Sequence, residues 1–158
     1  MNDAQILEIL NTRFSGQVRD VANPAVRRIF LTVEPKDLLA VVGGLKEAVP
    51  GMWYVATISG ADLGEQFEIV YHFGHDRGNV NVRTRIPRSE PRIESITPHI
   101  PGAVLYEREL QDMFGMVVDG IPDPRPLVMP DDWPAGNFPL RKDWKHERRP
   151  ERIPGGKS

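Results

Sequence analysis

Cysteine is absent from this chain of 158 residues. Its absence excludes a disulfide framework, a thiolate nucleophile, and cysteine ligands for an iron–sulfur cluster or a structural zinc site. Uninterrupted apolar runs of about 18 residues, which a membrane-spanning helix needs, are also absent. The first residues, MNDAQILEIL, lack the basic start and the apolar run of a signal peptide. We therefore expect a soluble, cytoplasmic protein.

Several motifs that carry chemistry are missing as well. The sequence has no Gly-rich phosphate loop, no G-x-S-x-G nucleophile motif and no H-E-x-x-H zinc motif. His72 and His75 lie three residues apart, but no third His lies near them and the chain has no Cys, so the pair is weak evidence for a zinc site with three or four protein ligands. The motifs therefore give no indication of a phosphate-binding, serine-nucleophile or zinc site in this chain.

The formal net charge is −2, which gives no overall bias toward nucleic acid or an anionic membrane. The charge is unevenly distributed, because residues 141–158 contain seven Lys/Arg and three Asp/Glu. This basic tail has two interpretations. It either docks on an acidic or membrane-proximal surface, or it forms a solvated terminus.

Hydrophobic periodicity predicts an α+β domain at residues 1–115. The expected elements are a helix at 3–15, a strand at 27–33, a helix at 35–49, strands at 53–59, 66–73 and 79–86, a short helix at 93–100 and a helix at 103–114. Asp3 is expected to cap the first helix, and Asn23-Pro24 to form a turn. The order favours a mixed or antiparallel sheet of about four strands with helices packed on one face.

Residues 116–158 have little helical or strand period, and we predict that they form a long, extended, Pro-rich C-terminal arm. The arm retains apolar residues that disordered segments lack, so we expect it to pack on another subunit. Pro122, Pro124 and Pro126 stiffen it into a polyproline-like rod. An alternative function is therefore a stand-alone adaptor that binds aromatic-lined grooves through this rod.

A charged cluster on the helix at 103–114 also has two interpretations. Glu107, Glu109 and Asp112 could perform acid–base chemistry in a small hydrolase-type enzyme, although no nucleophile accompanies them. Alternatively, Arg108 pairs with Asp112, and other carboxylates bind arginine side chains of the arm. Such pairs would fix the path of a segment that has no strand ladder to hold it.

Three motifs, in order along the chain, resemble a known family. E-R-E-L-Q-D-M-F-G at residues 107–115 resembles the E-R-E-x-x-D-M/L-F/Y-G element of the 30 kDa subunit of respiratory complex I, an NADH dehydrogenase. P-D-P-R at residues 122–125 is similar to that family's P-D-x-R element, and P-L-R-K-D at residues 139–143 is similar to its closing element. The resemblance is sharp over residues 103–144.

Two departures from the family pattern refine the resemblance. Ile121 and Pro126 replace a His and an Arg of the G-H-P-D-L-R-R sequence that is common in complex I members. P-D-D-W-P-A-G at residues 130–136 is more similar to the homologous subunit of membrane-bound, energy-converting nickel–iron hydrogenases. The resemblance therefore favours the hydrogenase type, with the complex I type as the alternative.

The resemblance implies a non-catalytic peripheral-arm subunit of a membrane-bound oxidoreductase complex that couples electron transfer to ion translocation. It implies no catalytic, cofactor-binding or metal-binding residue in this chain, and iron–sulfur clusters with or without a nickel–iron centre in the partners. The implied partners are the catalytic large subunit, the iron–sulfur small subunit and other hydrophilic-arm subunits. The implied location is the cytoplasmic side, at the inner face of the cell membrane, which the chain contacts only through the complex.

The resemblance also implies which residues contact partners. The residues expected at partner interfaces are Glu107, Arg108, Glu109, Asp112, Phe114, Gly115, Pro122, Asp123, Arg125, Trp133, Pro139, Leu140, Arg141, Lys142 and Asp143. They lie in the three motifs and in the arm, so the arm is expected to wrap the large subunit.

Overall fold

The computed structural model of the protein describes residues 1–51, 54–75 and 78–145. The helices are α1 (Asp3–Arg13), α2 (Leu38–Ala48) and α3 (Val104–Phe114), and 3₁₀ turns at Pro35–Asp37 and Pro101–Ala103 precede α2 and α3. The strands are β1 (Val18–Ala25), β2 (Arg28–Val33), β3 (Tyr54–Asp62), β4 (Gln66–His75), β5 (Gly78–Pro87), β6 (Arg92–Glu94) and β7 (Val117–Asp119). No helix among these residues is long and apolar enough to cross a membrane. Most of the basic tail lies outside the described residues.

A five-stranded mixed sheet forms the centre of the fold, with the strand order β1-β2-β5-β4-β3. Strands β2 and β5 run parallel, and the other neighbouring pairs run antiparallel. The three strands predicted after α2 form the meander β3-β4-β5, in which Phe67 lies opposite Ile86 and Tyr71 opposite Val82. The predicted α+β class with a mixed sheet is therefore confirmed.

The fifth strand, β1, is not among the predicted elements. Asn23 and Pro24 lie within β1 instead of forming the expected turn, because an edge strand tolerates a residue without an N–H. The predicted cap of α1 is also wrong by one position, since the Asn2 side chain provides it. The Asp3 carboxylate instead accepts the Arg27 N–H at 2.7 Å and so ties α1 to the β1–β2 turn.

Alternation along the strands buries one face of the sheet under the helices. Along β4, every second residue from Phe67 to Phe73 is buried, and the residues between them are partly exposed. The helical residues that join this core are Ile6, Leu10, Leu38, Val41, Val42, Leu45, Leu110 and Phe114. The opposite face of the sheet is polar, as expected for a sheet that faces water on one side.

The strands β6 and β7 form a small parallel sheet that joins the first residues of the predicted arm to the body. The helix predicted at 93–100 is wrong, because Arg92–Glu94 pairs with Val117–Asp119 and the following residues form turns. The Ser95 N–H donates to the Asp119 carbonyl at 2.9 Å and closes this sheet. The three isoleucines of this segment are nevertheless buried in the core. They are Ile93, Ile96 and Ile100.

Candidate functional site

Arg108 holds the Pro-rich part of the arm against α3. Its Nε donates to the Arg125 carbonyl at 2.7 Å and its Nη2 to the Pro126 carbonyl at 2.9 Å. Its Nη1 pairs with Asp123 at 3.2 Å, and the Arg108 side chain is mostly buried by these contacts. The planar guanidinium can bind several acceptors at once, which suits a segment without a strand ladder.

Asp112 holds the next three residues of the arm. Its Oδ2 accepts the N–H groups of Leu127 at 2.8 Å, Val128 at 2.7 Å and Met129 at 3.3 Å. The predicted Arg108–Asp112 pair is therefore not formed, because each side chain binds arm backbone instead. We name Arg108 and Asp112 together the α3 clasp.

Asp123 and Arg125 form an ion pair within the arm. The Arg125 Nη2 lies 2.7 Å from Oδ2, and the Arg125 Nε lies 2.8 Å from Oδ1. The hydrogen bonds from Arg125 lower the pKa of Asp123 well below its usual range, even though burial acts the other way. In one interpretation of the sequence, arginine side chains of the arm bind carboxylates of α3, but Arg125 does not do so because Asp123 occupies its guanidinium.

A second cluster holds the end of the arm, and we name it the Asp62 cluster. The Asp62 side chain is buried at the end of β3 and pairs with Arg88. Asp62 also accepts the Lys142 N–H at 2.9 Å and the Gly64 N–H at 2.8 Å, while Arg88 reaches Asp143 at 2.6 Å. Burial alone would raise the pKa of Asp62, but these hydrogen bonds lower it to about 2.

Sequence reasoning missed Asp62 and Arg88. Each is a single charged residue near a turn, without a motif around it. The sequence carries no signal for this pair, because the burial of Asp62 at the end of β3, which requires partners for the carboxylate, arises only in the folded chain. Of the interface residues predicted from the sequence, Lys142 supplies a backbone N–H and Asp143 pairs with Arg88.

Arg141 joins the arm to the C-terminus of α3. Its Nε donates to the Phe114 carbonyl at 2.6 Å. Its guanidinium lies 5.3 Å from the Phe67 ring centroid and 4.5 Å from that of Phe138. Burial lowers the pKa of Arg141, and the nearby positive charge of Arg88 acts in the same direction.

Phe114 and Gly115 lie at the end of α3, where Phe114 packs in the core and Gly115 packs against the arm. Phe114 is buried, lies edge-on to Phe67 at 5.8 Å between ring centroids, and packs on Gly60 of β3. Gly115 ends α3 in the left-handed region with φ of 66°, and the Phe138 ring occupies the space where a side chain would lie. Phe114 was expected to contact a partner, but its side chain contacts its own core.

Glu107 also differs from its predicted position at an interface, because its side chain is fully buried within the chain. The carboxylate accepts the Ser95 hydroxyl at 2.7 Å and the Ile96 N–H at 2.8 Å. Burial raises the pKa of Glu107 from its usual value of 4.5, and the two hydrogen bonds only partly oppose this. Glu107 therefore fixes the turns that replace the predicted helix at 93–100.

The three helix carboxylates do not converge on one cavity. Glu107 is buried, Asp112 is occupied by backbone N–H groups, and Glu109 is exposed. In the described part of the chain, no three His, Asp or Glu side chains are placed to hold a metal ion. His72, one of the two histidines considered as zinc ligands, binds Ser59 at 3.0 Å and Asn81 at 2.7 Å through its two ring nitrogens.

The remaining predicted interface residues lie along the arm. The Trp133 indole donates to the Asn137 carbonyl at 2.8 Å and packs near the Trp144 ring. Pro122 is exposed and Pro139 is half-buried. Several large apolar side chains near or on the arm point to solvent. These are Leu105, Val117, Leu127, Val128 and Leu140. Of these five, only Leu140 is among the predicted interface residues.

Sequence comparison identifies relatives over most of the chain. Residues 31–150 match the family described as "Respiratory-chain NADH dehydrogenase, 30 Kd subunit". An NADH-quinone oxidoreductase subunit of Mesorhizobium japonicum is 32% identical, over 89% of this chain and 71% of that protein. An F(420)H(2) dehydrogenase subunit of Methanosarcina mazei is 31% identical, over 92% of this chain and 93% of that protein.

Formate hydrogenlyase subunit 5 of Escherichia coli is 36% identical over 87% of this chain, which spans only 25% of that relative. The fold is also similar to a chain of the membrane-bound sulfane sulfur reductase, an archaeal respiratory membrane complex. That match has a TM-score of 0.76 and 24% identity, over 89% of this chain and 83% of that one. The family match agrees with the three sequence motifs. The chain therefore belongs to the family of the respiratory-chain NADH dehydrogenase 30 kDa subunit.

Proposed function

We propose that this chain is a non-catalytic subunit of a membrane-bound redox complex, in which it holds the catalytic large subunit and the iron–sulfur small subunit together. The observation that carries the proposal is the arm. Its backbone is fixed by the α3 clasp and the Asp62 cluster, while Leu127, Val128 and Leu140 remain exposed. An ordered segment that displays apolar side chains to solvent is typical of an interaction surface.

The non-catalytic role is supported by the contacts that the charged side chains make within the chain. Arg108, Asp112 and Asp62 are engaged by the arm, and Glu107 is engaged in the core. An acid–base site needs carboxylates that face a substrate cavity with a nucleophile in reach. The hydrolase alternative therefore gains no support from the geometry.

The proposed partners contain the redox centres. Relatives of this chain are named as subunits of an NADH-quinone oxidoreductase, an F(420)H(2) dehydrogenase and a formate hydrogenlyase. We propose the hydrogenase type of complex, because the sequence at residues 130–136 favours it, with the complex I type as the alternative. The iron–sulfur clusters and the nickel–iron centre of such a complex would belong to the partner subunits.

We further propose that the complex sits at the inner face of the cell membrane, with this chain on the cytoplasmic side and in contact with the bilayer only through its partners. The described residues contain no membrane-spanning helix, and the net charge of −2 gives no general attraction to anionic lipid. Nucleic acid is not a proposed partner for the same electrostatic reason.

The test is affinity purification of the tagged chain from mildly solubilised native membranes, with the co-purified proteins identified by mass spectrometry. We expect one large subunit and one iron–sulfur subunit in fixed proportion to this chain. A large subunit with paired C-x-x-C motifs would assign the hydrogenase type, and one without them the complex I type. Recovery of the tagged chain alone would contradict the proposed function.

A further inference from the structure

The side of α3 that carries Arg108 and Asp112 also carries an exposed apolar residue, Leu105. Leu105, Arg108 and Asp112 have the spacing i, i+3 and i+7, which places them on one side of the helix within about 11 Å along its axis. Leu105 is 52% exposed although it is a large apolar residue at the start of α3. It therefore lies on the same side of α3 as the track along which the arm runs.

The arm places two more apolar side chains beside this helix face. Arg108 and Asp112 bind the backbone of residues 125–129, so this segment runs along α3. Leu127 is 42% exposed and Val128 is 50% exposed, even though their N–H groups are fixed at 2.8 and 2.7 Å from Asp112. Their backbone conformation is thus set before any contact with a partner, which reduces the entropy lost on docking.

Exposed carboxylates lie on or near the residues of this surface, and the exposed guanidinium of Arg125 in the same segment is paired with Asp123. Glu109 lies one helical turn after Leu105 and is exposed. Asp131 and Asp132 follow the clasped segment closely in the sequence and are exposed as well. Within residues 1–51, 54–75 and 78–145, the side chains of these three residues form no ion pair.

We propose that Leu105, Leu127 and Val128 form one docking surface, named the α3 patch, for an apolar area bordered by Lys or Arg on a different subunit. The apolar side chains supply the buried centre of the contact, and the exposed carboxylates select a partner with a basic rim. This inference rests on the proposed function and adds the residues of contact and the chemistry of the partner. Arg108 and Asp112 thus shape the arm, whereas the α3 patch contacts the partner.

The first experiment maps the contact by cross-linking in cells. A photo-crosslinking amino acid replaces Leu127 in the tagged full chain, and the same amino acid replaces Val26 as the control. Val26 is 86% exposed and lies between β1 and β2, at the opposite edge of the sheet from β3. We expect cross-links from position 127 to a single partner chain, at a peptide that combines apolar residues with Lys or Arg.

The second experiment measures assembly. Combined Leu105→Ser, Leu127→Ser and Val128→Ser substitutions are expected to lower the partner recovered per tagged chain by about tenfold or more. Val26→Ser is expected to leave recovery unchanged. Glu109→Lys is expected to lower recovery by about threefold. Glu8→Lys, which reverses an exposed charge on α1, is the matched control and is expected to have no effect.

The outcomes separate the two proposals. If the unmodified chain recovers no partner, the proposed function fails and the α3 patch fails with it. If the unmodified chain recovers partners but the triple variant recovers them equally, only the α3 patch is overturned. Circular dichroism and thermal unfolding of each purified variant establish that it is folded, and the cross-linking result stands without any destabilising substitution.

Discussion

Arg108 and Asp112 lie one helical turn apart on α3 and bind consecutive parts of the same arm segment, carbonyl groups first and N–H groups next. The two side chains thus satisfy a stretch of backbone that has no strand partner. Arg108 and Asp112, which were expected at a partner interface, therefore make contacts within the chain. They fix the path of the arm, which carries two of the three side chains of the proposed α3 patch.

Asp112→Ala is predicted to release residues 127–129 from α3. The substitution removes an ionised acceptor from three N–H groups, and hydrogen bonds to a charged group contribute about 1.5–3 kcal/mol. Hydrogen–deuterium exchange should become faster at these three N–H groups and stay slow in β4 and β5. Unchanged protection of residues 127–129 would show that Asp112 does not hold the arm.

Asp62→Asn is predicted to release the end of the arm, because the variant loses the ion pair with Arg88. It is also predicted to make the free energy of unfolding depend less on pH in the acid range. The folded chain holds the pKa of Asp62 at about 2, below the ordinary 3.8. Its contribution to stability is therefore present above pH 3.8 and is lost as the pH falls through about 2. The free energy of unfolding of the wild-type chain should fall more steeply in this window than that of the variant.

The control for Asp62 is Asp143→Asn. Asp143 is the exposed member of the same cluster, with 72% of its side chain accessible, and pairs with Arg88 at 2.6 Å. Exposed pairs contribute little, so this variant should differ from the wild type by less than about 1 kcal/mol. Equal acid profiles for the wild-type chain and Asp62→Asn would contradict the assignment of the low pKa to Asp62.

Phe114→Ala is predicted to destabilise the body by about 3–5 kcal/mol, because it removes a buried ring from between Gly60 and Phe67. Chemical denaturation of the purified chain measures this difference. Leu105→Ala is the control on the same helix, and it should change the free energy of unfolding by no more than about 0.5 kcal/mol, since Leu105 is half exposed. A neutral Phe114→Ala would place the ring outside the core.

Glu107→Leu is predicted to be destabilising by about 1–3 kcal/mol, since it leaves the buried Ile96 N–H without an acceptor, while the Ser95 hydroxyl keeps Thr97 as a partner. Glu107→Gln keeps a carbonyl for the Ile96 N–H and should be tolerated better. The raised pKa of Glu107 has the opposite sign to that of Asp62. Its stabilising contribution is greatest below pH 4.5 and is lost as the pH rises through the folded-state pKa.

The pH dependence gives a second measurement on the same residue. Glu107→Gln cannot ionise, so its unfolding free energy should lack the decline that the wild-type chain shows as the pH rises above 4.5. Parallel profiles for the two proteins would contradict a buried carboxyl with a raised pKa. Denaturant titrations at several pH values provide the comparison.

The body of the fold could be predicted because its signals are local and periodic. Alternation in β4 and β5 and the helical spacing in α2 and α3 follow directly from which residues face the core. The strand β1 could not be predicted, because its residues are largely exposed and it contains Pro24. The helix expected at 93–100 does not form, because its first residues belong to β6. That strand pairs with β7, which lies far along the chain and cannot be recognised from local sequence.

The candidate site could likewise be predicted only in part. The motifs predicted the family. One interpretation of the charged cluster on α3 was that ion pairs fix the path of the arm, and the structure shows Arg108 and Asp112 holding the arm through its backbone. The motifs did not predict which atoms are bound, because Arg108 and Asp112 bind backbone rather than each other. They also omitted Asp62 and Arg88, which meet Lys142 and Asp143 only in the folded chain.

The most direct test of the proposed α3 patch is a cryo-electron microscopy structure of the complex purified through this chain. We predict that the α3 clasp and the Asp62 cluster are retained, and that Leu105, Leu127 and Val128 are buried against a neighbouring subunit. That subunit should present Lys or Arg around its contact area. A complex in which these three side chains face solvent, or in which the arm has left α3, would contradict the proposed α3 patch.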